Sequence, residues 1–196
     1  MSVLFRRAKF AMPNASTFTI EPIRDWLEDE LQLARANLEK IDRSMVIIDP
    51  FCGTSGIAEF IYRKYSNQLY LNDLQNGLEA SKYLDVLIAN GVYGDFFVFD
   101  PPYSPRQIAE VYKSVGLKAS ATDTQSARMK REVRDRIQAL SKPGARCVSF
   151  GWNSNGQGLT RGWELLDGAL FPHGAEHNDT IAIVERRTAG KMIQEW

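Results

Sequence analysis

Met45-Val46-Ile47-Ile48-Asp49-Pro50-Phe51-Cys52-Gly53-Thr54-Ser55-Gly56 is a short apolar run that ends in an acid and opens into a glycine-containing turn. Four apolar residues bounded by a turn fit a strand buried on both faces of a parallel sheet. A second unit of the same kind lies downstream, Phe96-Phe97-Val98-Phe99 followed by Asp100-Pro101-Pro102-Tyr103. Between the two, residues 57–65 read as a helix, 69–71 as a strand ending at Asn72-Asp73, and 81–89 as a helix stopped by Asn90-Gly91. Upstream, Pro22 suits a first helical position, and Ile23, Leu27, Leu31, Ala34 and Leu38 follow at helical spacing. Downstream, 107–115 and 126–140 read as helices. Lys142-Pro143-Gly144 then breaks the second of these helices before a strand at 146–150. Residues 165–171 and 180–184 form a closing hairpin around Pro172-His173-Gly174. Strand–helix alternation of this kind predicts a doubly wound α/β fold, mostly parallel with a C-terminal antiparallel hairpin.

Composition supports one globular domain over residues 1–196. The chain has 24 Lys and Arg against 24 Asp and Glu, and 44% of its residues are hydrophobic, which excludes a disordered or collagen-like chain. The longest apolar runs, at 45–48 and 96–99, fall far short of the roughly 18–20 residues of a membrane helix. The start lacks a long apolar stretch with a small-residue cleavage site, so a cytoplasmic protein is expected. Two cysteines, Cys52 and Cys147, are too few for a disulfide scaffold or a cysteine-based zinc site. No repeat or low-complexity tract is present, and residues 116–125 read as a mobile loop.

Charge is unevenly spread. Residues 101–150 hold ten basic and four acidic side chains. On the helix at 126–140, Met129, Val133, Ile137 and Leu140 share one face, and Arg128, Arg131 and Arg134 lie opposite. A solvated helix face or an electrostatic footprint for nucleic-acid phosphates accounts for this excess.

Three strands end in polar clusters: Asp49 to Gly56, Asn72-Asp73, and Asp100 to Tyr103. In open α/β sheets, ligands bind outside the carboxyl ends of the strands. The first loop lacks the Gly-Lys-Ser/Thr of a phosphate-binding loop, and Phe51 stands where a dinucleotide fingerprint has its first glycine. Asp73, 17 residues beyond Gly56, lies close to where a ribose-binding acid is expected, which favours a nucleoside ligand. Pro101-Pro102 removes two backbone donors and stiffens the turn between an acid and an aromatic residue. Such a slot suits a planar amine, for example the exocyclic amine of a nucleobase. Asp100 and the Pro101 carbonyl accept its two N–H groups, and Tyr103 covers the ring. Accepting both pushes the nitrogen toward sp³ character and exposes its lone pair for methyl transfer.

Asp-Pro-Phe-x-Gly-x-x-Gly followed by Asp-Pro-Pro-Tyr resembles the S-adenosylmethionine-dependent adenine-N6 DNA methyltransferases. Asp-Pro-Pro-Tyr-Ser-Pro-Arg-Gln, Ser-Phe-Gly-Trp-Asn-Ser-Asn-Gly and His-Asn-Asp-Thr-Ile resemble the small phage-associated type, over about residues 9–186. The resemblance implies a Rossmann-like class I methyltransferase fold, S-adenosylmethionine as the methyl donor, and a flipped adenine in DNA as the acceptor. By the same resemblance, Asp49, Pro50, Phe51, Gly53 and Gly56 form the donor loop, and Asp73 binds the ribose hydroxyls. Glu79 matches the acid near the donor's adenine amine, which requires the helix between it and Asp73 to be missing or vestigial. Phe18, Thr19 and Pro22 match the segment that closes over the methionine end. Asp100, Pro101, Pro102 and Tyr103 form the catalytic loop, and no metal is implied. Residues 57–99 leave no room for an inserted target-recognition domain, so specificity falls to short loops at 104–125 and 151–162 or to a partner.

Other readings stay in view. The same amine methylation on RNA uses related loops, and a nucleic-acid-binding module with a degenerate donor site would lack Asp100 or Tyr103. Cytosine-N4 enzymes more often carry Ser at the Asp100 position. A nicotinamide oxidoreductase fits poorly with Phe51 and with the Asp100 turn. Cys52 and Cys147 read as packing residues, and His173 and His177 as loop residues. Trp152 and Asn153 either touch a base or donor, or pack.

Overall fold

The computed structural model describes residues 4–14, 16–120, 126–174 and 177–188. Its strands are β1 (Leu4–Arg7), β2 (Val46–Asp49), β3 (Gln68–Leu71), β4 (Gly94–Phe99), β5 (Ser141–Gly151), β6 (Trp163–Phe171) and β7 (Thr180–Arg187). Its α-helices are α1 (Glu21–Glu39), α2 (Ile57–Tyr62), α3 (Ala80–Ala89), α4 (Pro105–Ser114) and α5 (Ser126–Leu140). The strands form one sheet in the order β1-β6-β7-β5-β4-β2-β3. Only β7 runs against its neighbours, β5 and β6; the other pairs are parallel. The expected mostly parallel sheet with an antiparallel C-terminal hairpin is the observed one.

Alternation along β2 and β4 explains why the runs 46–48 and 96–99 are apolar at every position. Ile47, Phe96 and Val98 point to the face covered by α1 and α2, where Ile23, Leu27, Leu31, Ile61 and Tyr62 pack. Val46, Ile48, Phe97 and Phe99 point to the other face, against Leu84 and Leu87 of α3 and Val133, Ile137 and Leu140 of α5. Successive side chains of a strand face opposite sides, so a run covered on both sides is apolar at successive positions, and the buried Asp49 and Asp95 at the strand ends are each hydrogen-bonded. β3 pairs with one edge of β2 and β4 with the other. The chain therefore reverses direction across the sheet at β2, and the connections diverge to leave a crevice above the carboxyl ends of β2 and β4.

Two local readings are corrected. β1 was not expected: Leu4-Phe5-Arg6-Arg7 has no strand-like apolar pattern, yet it pairs in parallel with β6 as an edge strand, with Arg6 bridged to Asp167. The helix α5 ends at Leu140, ahead of Lys142-Pro143-Gly144 as expected, but that stretch lies within β5, which starts at Ser141 and not at 146. There the ladder with β4 pairs Ser141 with Gly94, then shifts and resumes at Arg146 and Phe96, so Pro143 falls where no regular ladder bond is needed. Lys142 also binds the buried Asp95 carboxylate at 2.8 Å, which anchors this stretch to β4. Of the stretch expected to be a mobile loop, residues 121–125 lie outside the described residues.

Candidate active site

The loop after β2 is held from beneath by its own acid. Asp49 is fully buried, accepting from the Phe51 N–H at 2.9 Å and from the Tyr62 hydroxyl at 2.7 Å. Burial raises its pKa to about 7 against the opposing effect of these two donors. Asp49 thus ties the loop to α2. Gly53 and Gly56 have φ of 66° and 72°, and Gly56 caps α2. Added Cβ atoms there would meet nothing within 4 Å, so these glycines are required for left-handed backbone and not for space. Asn72, buried at the end of β3, donates to the Leu78 carbonyl at 3.1 Å, and its own carbonyl accepts from the Cys52 N–H at 2.9 Å. It fastens the β2 and β3 loops together.

Asp73 caps a single 3-10 turn, Leu74–Asn76, by accepting from the Gln75 N–H at 2.9 Å. This 3-10 turn is the helical element between Asp73 and Glu79. Glu79 precedes α3 and accepts from the Tyr112 hydroxyl of α4 at 2.9 Å.

At the end of β4, the Tyr103 hydroxyl donates to Asp100 Oδ1 at 2.5 Å. Gln107 Oε1 accepts from the Tyr103 and Ser104 N–H groups at 2.7 and 3.1 Å, and the Ser104 hydroxyl accepts from the Gln107 N–H. This capping box starts α4 and fixes the turn. The Tyr103 ring meets Trp152 edge-on, with centroids 5.6 Å apart. Glu185 of β7 accepts from the Gln157 and Gly158 N–H groups at 2.6 and 2.9 Å and steadies the loop that follows Trp152. Thr17, in the 3-10 turn Thr17–Thr19 before α1, lines the same cavity as Asp100 and Tyr103. Burial pushes the pKa of Asp100 up, while the bond from Tyr103 pulls it back toward the carboxylate. Burial and the neighbouring carboxylate hold the Tyr103 hydroxyl protonated.

A cavity of about 1060 Å³ joins these elements. Among the expected site residues, Phe18, Pro50, Phe51, Gly53, Asp73, Glu79, Asp100, Pro101, Pro102, Tyr103 and Arg128 line it. Asp49, Gly56, Thr19 and Pro22 are not among its lining residues and act on its frame. Thr19 bonds back to the Ser16 carbonyl at 2.7 Å, and Pro22 sits in the first turn of α1. Phe18 also packs edge-on against Phe150 at 5.5 Å and Tyr62 at 6.4 Å. Sequence reading missed Thr17, Asn72's clasp, Gln107, Tyr112 and Glu185, because a lone hydroxyl, amide or acid carries no spacing signal.

The three arginines of α5 do not form one solvated row. Arg128 is exposed and paired with Glu132 at 2.8 Å, and Arg131 is exposed. Arg134 turns inward instead: its guanidinium lies 5.4 Å from the Phe99 ring centre and donates to the Asn155 carbonyl at 2.7 Å. Burial lowers its pKa. His173 is buried, bonding the Ala11 carbonyl at 2.8 Å and the Thr180 hydroxyl at 2.9 Å. Burial and nearby acids raise the Cys52 thiol to about 12, so it is no thiolate at neutral pH. Among the described residues, no group of three His, Cys, Asp or Glu side chains is arranged to hold a metal, and no helix is long and apolar enough to cross a membrane.

No protein-family model and no curated protein matches the chain. Among solved structures, it is similar to the N-methyltransferase NodS from Bradyrhizobium japonicum WM9, with 10% identity over 85% of this chain and 97% of that one and a TM-score of 0.50. The 1,6-didemethyltoxoflavin-N1-methyltransferase of Burkholderia thailandensis, solved with its substrate and S-adenosylhomocysteine, shows 14% identity over 85% of this chain and 82% of that one, TM-score 0.48. TrmN from Thermus thermophilus shows 17% identity over 80% of this chain, TM-score 0.44, and this chain spans about half (48%) of its length. The likeness to NodS is one of fold: the chain has the α/β architecture of that methyltransferase.

Proposed function

We propose that the protein transfers the methyl group of S-adenosylmethionine to the N6 amine of an adenine in DNA. The observation that carries this reading is the sharing of one cavity by two sets of groups. A loop with left-handed glycines and two carboxylates, Asp73 and Glu79, lies at one part, and the Asp100 to Tyr103 turn lies at another.

The donor set fits a nucleoside sulfonium. Asp73 offers a carboxylate to ribose hydroxyls, Glu79 offers one to an amine, and Phe51 offers an apolar wall. When bound, the donor supplies an electrophilic methyl group. The chain's own part is to hold the acceptor. Asp100 and the Pro101 carbonyl accept the two amine N–H bonds, and the Tyr103 ring stacks on the base. Catalysis is then mainly positioning and orientation of the nitrogen lone pair toward the methyl carbon. A base in a duplex must leave the stack to reach Asp100, at a cost of roughly a few kcal/mol.

Calorimetry with S-adenosylmethionine and its demethylated product, followed by transfer of a tritiated methyl group to duplex DNA and to structured RNA, tests this. Binding of both donor forms and label in DNA support the reading. Label in RNA alone overturns DNA as the acceptor, and absence of donor binding overturns methyl transfer itself.

A further inference from the structure

Two partly buried cations of α5, Lys130 and Arg134, stand four residues apart, so they share one face of the helix on adjacent turns. Each reaches a different loop. Lys130 Nζ donates to the Tyr103 carbonyl at 3.5 Å, and Arg134 donates to the Asn155 carbonyl at 2.7 Å. These loops carry the two aromatic rings that meet in the cavity, Tyr103 and Trp152, with centroids 5.6 Å apart and planes inclined at 67°. The Arg134 guanidinium also lies over the Phe99 ring, one residue before Asp100. The contacts therefore close a circuit, from Phe99 through Asp100 and Tyr103 to Trp152 and Asn155, and back through Arg134.

Further along, the Trp152 loop is fastened to β7. Asn153 Oδ1 accepts from the Asn155 N–H at 3.0 Å, Glu185 accepts from the Gln157 and Gly158 N–H groups, and a Cβ on Gly156 would overlap the Glu185 carboxylate. Trp152 itself is 43% exposed, so its ring is placed by its backbone and by Tyr103, not by a packed shell. Burial, together with repulsion from Arg134, lowers the Lys130 pKa. Each cation therefore depends on the carbonyl it reaches. Neither is among the residues lining the cavity, so both act through the loops and not on a ligand.

We propose that Lys130 and Arg134 are a positioning pair that sets the spacing of Tyr103 and Trp152, and with it the room for a base stacked on Tyr103. The inference rests on the methyl-transfer reading above. At 67° a planar base cannot stack on both rings, so Trp152 confines the base that Tyr103 holds. The inward cations of α5 thus serve the acceptor without touching phosphate.

The test uses Arg134→Met and Lys130→Met, which keep the length of the side chain and remove its donors. In tritiated methyl transfer to duplex DNA, Arg134→Met is expected to raise acceptor KM about tenfold, equivalent to losing one charge-assisted hydrogen bond. Lys130→Met, whose contact is longer, should raise it about threefold. Arg134→Lys keeps a charge but loses the planar fork, and should recover only part of the effect. Donor affinity by calorimetry should stay within a few-fold. The log–log salt slope of DNA affinity should not change in any of these variants, whereas a phosphate contact would flatten it by about one unit.

An activity-free readout is acrylamide quenching of the Trp152 emission, identified by its loss in Trp152→Phe. Quenching should rise in Arg134→Met, measured well below its melting temperature. Should Arg134→Met fail to fold, Lys130→Met and Arg134→Lys carry the same readouts. In a wild-type protein that transfers methyl groups, an unchanged acceptor KM, unchanged Trp152 quenching, or a flattened salt slope in the folded variants overturns this inference alone. A wild-type protein that transfers none, to DNA or RNA, overturns the methyl-transfer reading and this role with it.

Discussion

The Tyr103 hydroxyl donates to Asp100 Oδ1 at 2.5 Å, so the two principal residues of the proposed acceptor slot are bonded to each other. Tyr103→Phe leaves the stacking ring and removes this internal competitor, whereas Tyr103→Ala removes the ring as well. The Phe variant should bind the acceptor at least as tightly as wild type. The Ala variant should lose roughly 10–100-fold in acceptor KM, as expected for a lost base–aromatic stack. The lost hydroxyl also stabilised the Asp100 carboxylate, so the acid limb of activity in Tyr103→Phe should lie at higher pH than in wild type. Steady-state kinetics across pH checks both signs.

Asp73 caps the 3-10 turn and also faces the cavity. Asp73→Asn keeps an oxygen for the Gln75 N–H and removes the charge. It should fold normally and weaken donor binding about tenfold, the equivalent of roughly one charged hydrogen bond. Asp73→Ala should in addition lose about 1 kcal/mol of stability through the missing cap. Calorimetry and thermal melts separate the two effects.

The buried Asp49 predicts a pH-dependent stability. Its pKa of about 7 in the folded chain lies above that of an unfolded aspartate. The folded state therefore binds its proton more tightly, and the stability this contributes is full below about pH 4 and is lost as pH rises through about 7. Asp49→Asn removes the titration. Denaturant melts from pH 4 to 8 should show wild type losing roughly 1–4 kcal/mol relative to the variant over that window. Parallel curves would contradict the assignment.

On duplex DNA, the arginines of α5 should behave differently from one another. Arg131→Gln should flatten the log–log salt dependence of affinity by about one unit, the effect of one released counterion. Arg128 is already paired with Glu132, so Arg128→Gln should change the slope less. Arg134→Gln should leave the slope unchanged and cost about 1–2 kcal/mol of stability, because it removes the contact with Phe99 and the bond to Asn155.

These distinctions mark how far sequence carries. The runs at 45–48 and 96–99 are legible as strands because both faces of the sheet are covered, leaving no polar interruption. The turns after them are legible because glycine and proline constrain the backbone directly. β1 is illegible because its place depends on β6, more than 150 residues away, and on one ion pair between Arg6 and Asp167. Arg134 misleads for a related reason: helical spacing gives its angle on α5 but not the Phe99 ring or the Asn155 carbonyl that draw it inward. Thr17 lies one residue before Phe18, which sequence did single out. Only the folded arrangement brings it to the wall of the cavity that Asp100 also lines.

The central claim is that Asp100 presents an adenine amine to a methyl donor in the same cavity. Its most direct test is incubation of wild-type protein and Asp100→Ala with S-adenosylmethionine carrying a deuterated methyl group and with duplex DNA, followed by digestion to nucleosides and mass spectrometry. The account predicts deuterated N6-methyladenine from wild type and a loss of at least about 100-fold in Asp100→Ala, with donor affinity in the variant within a few-fold of wild type. Deuterated N6-methyladenine formed equally well by Asp100→Ala, or none formed by a wild-type protein that binds the donor, would contradict it.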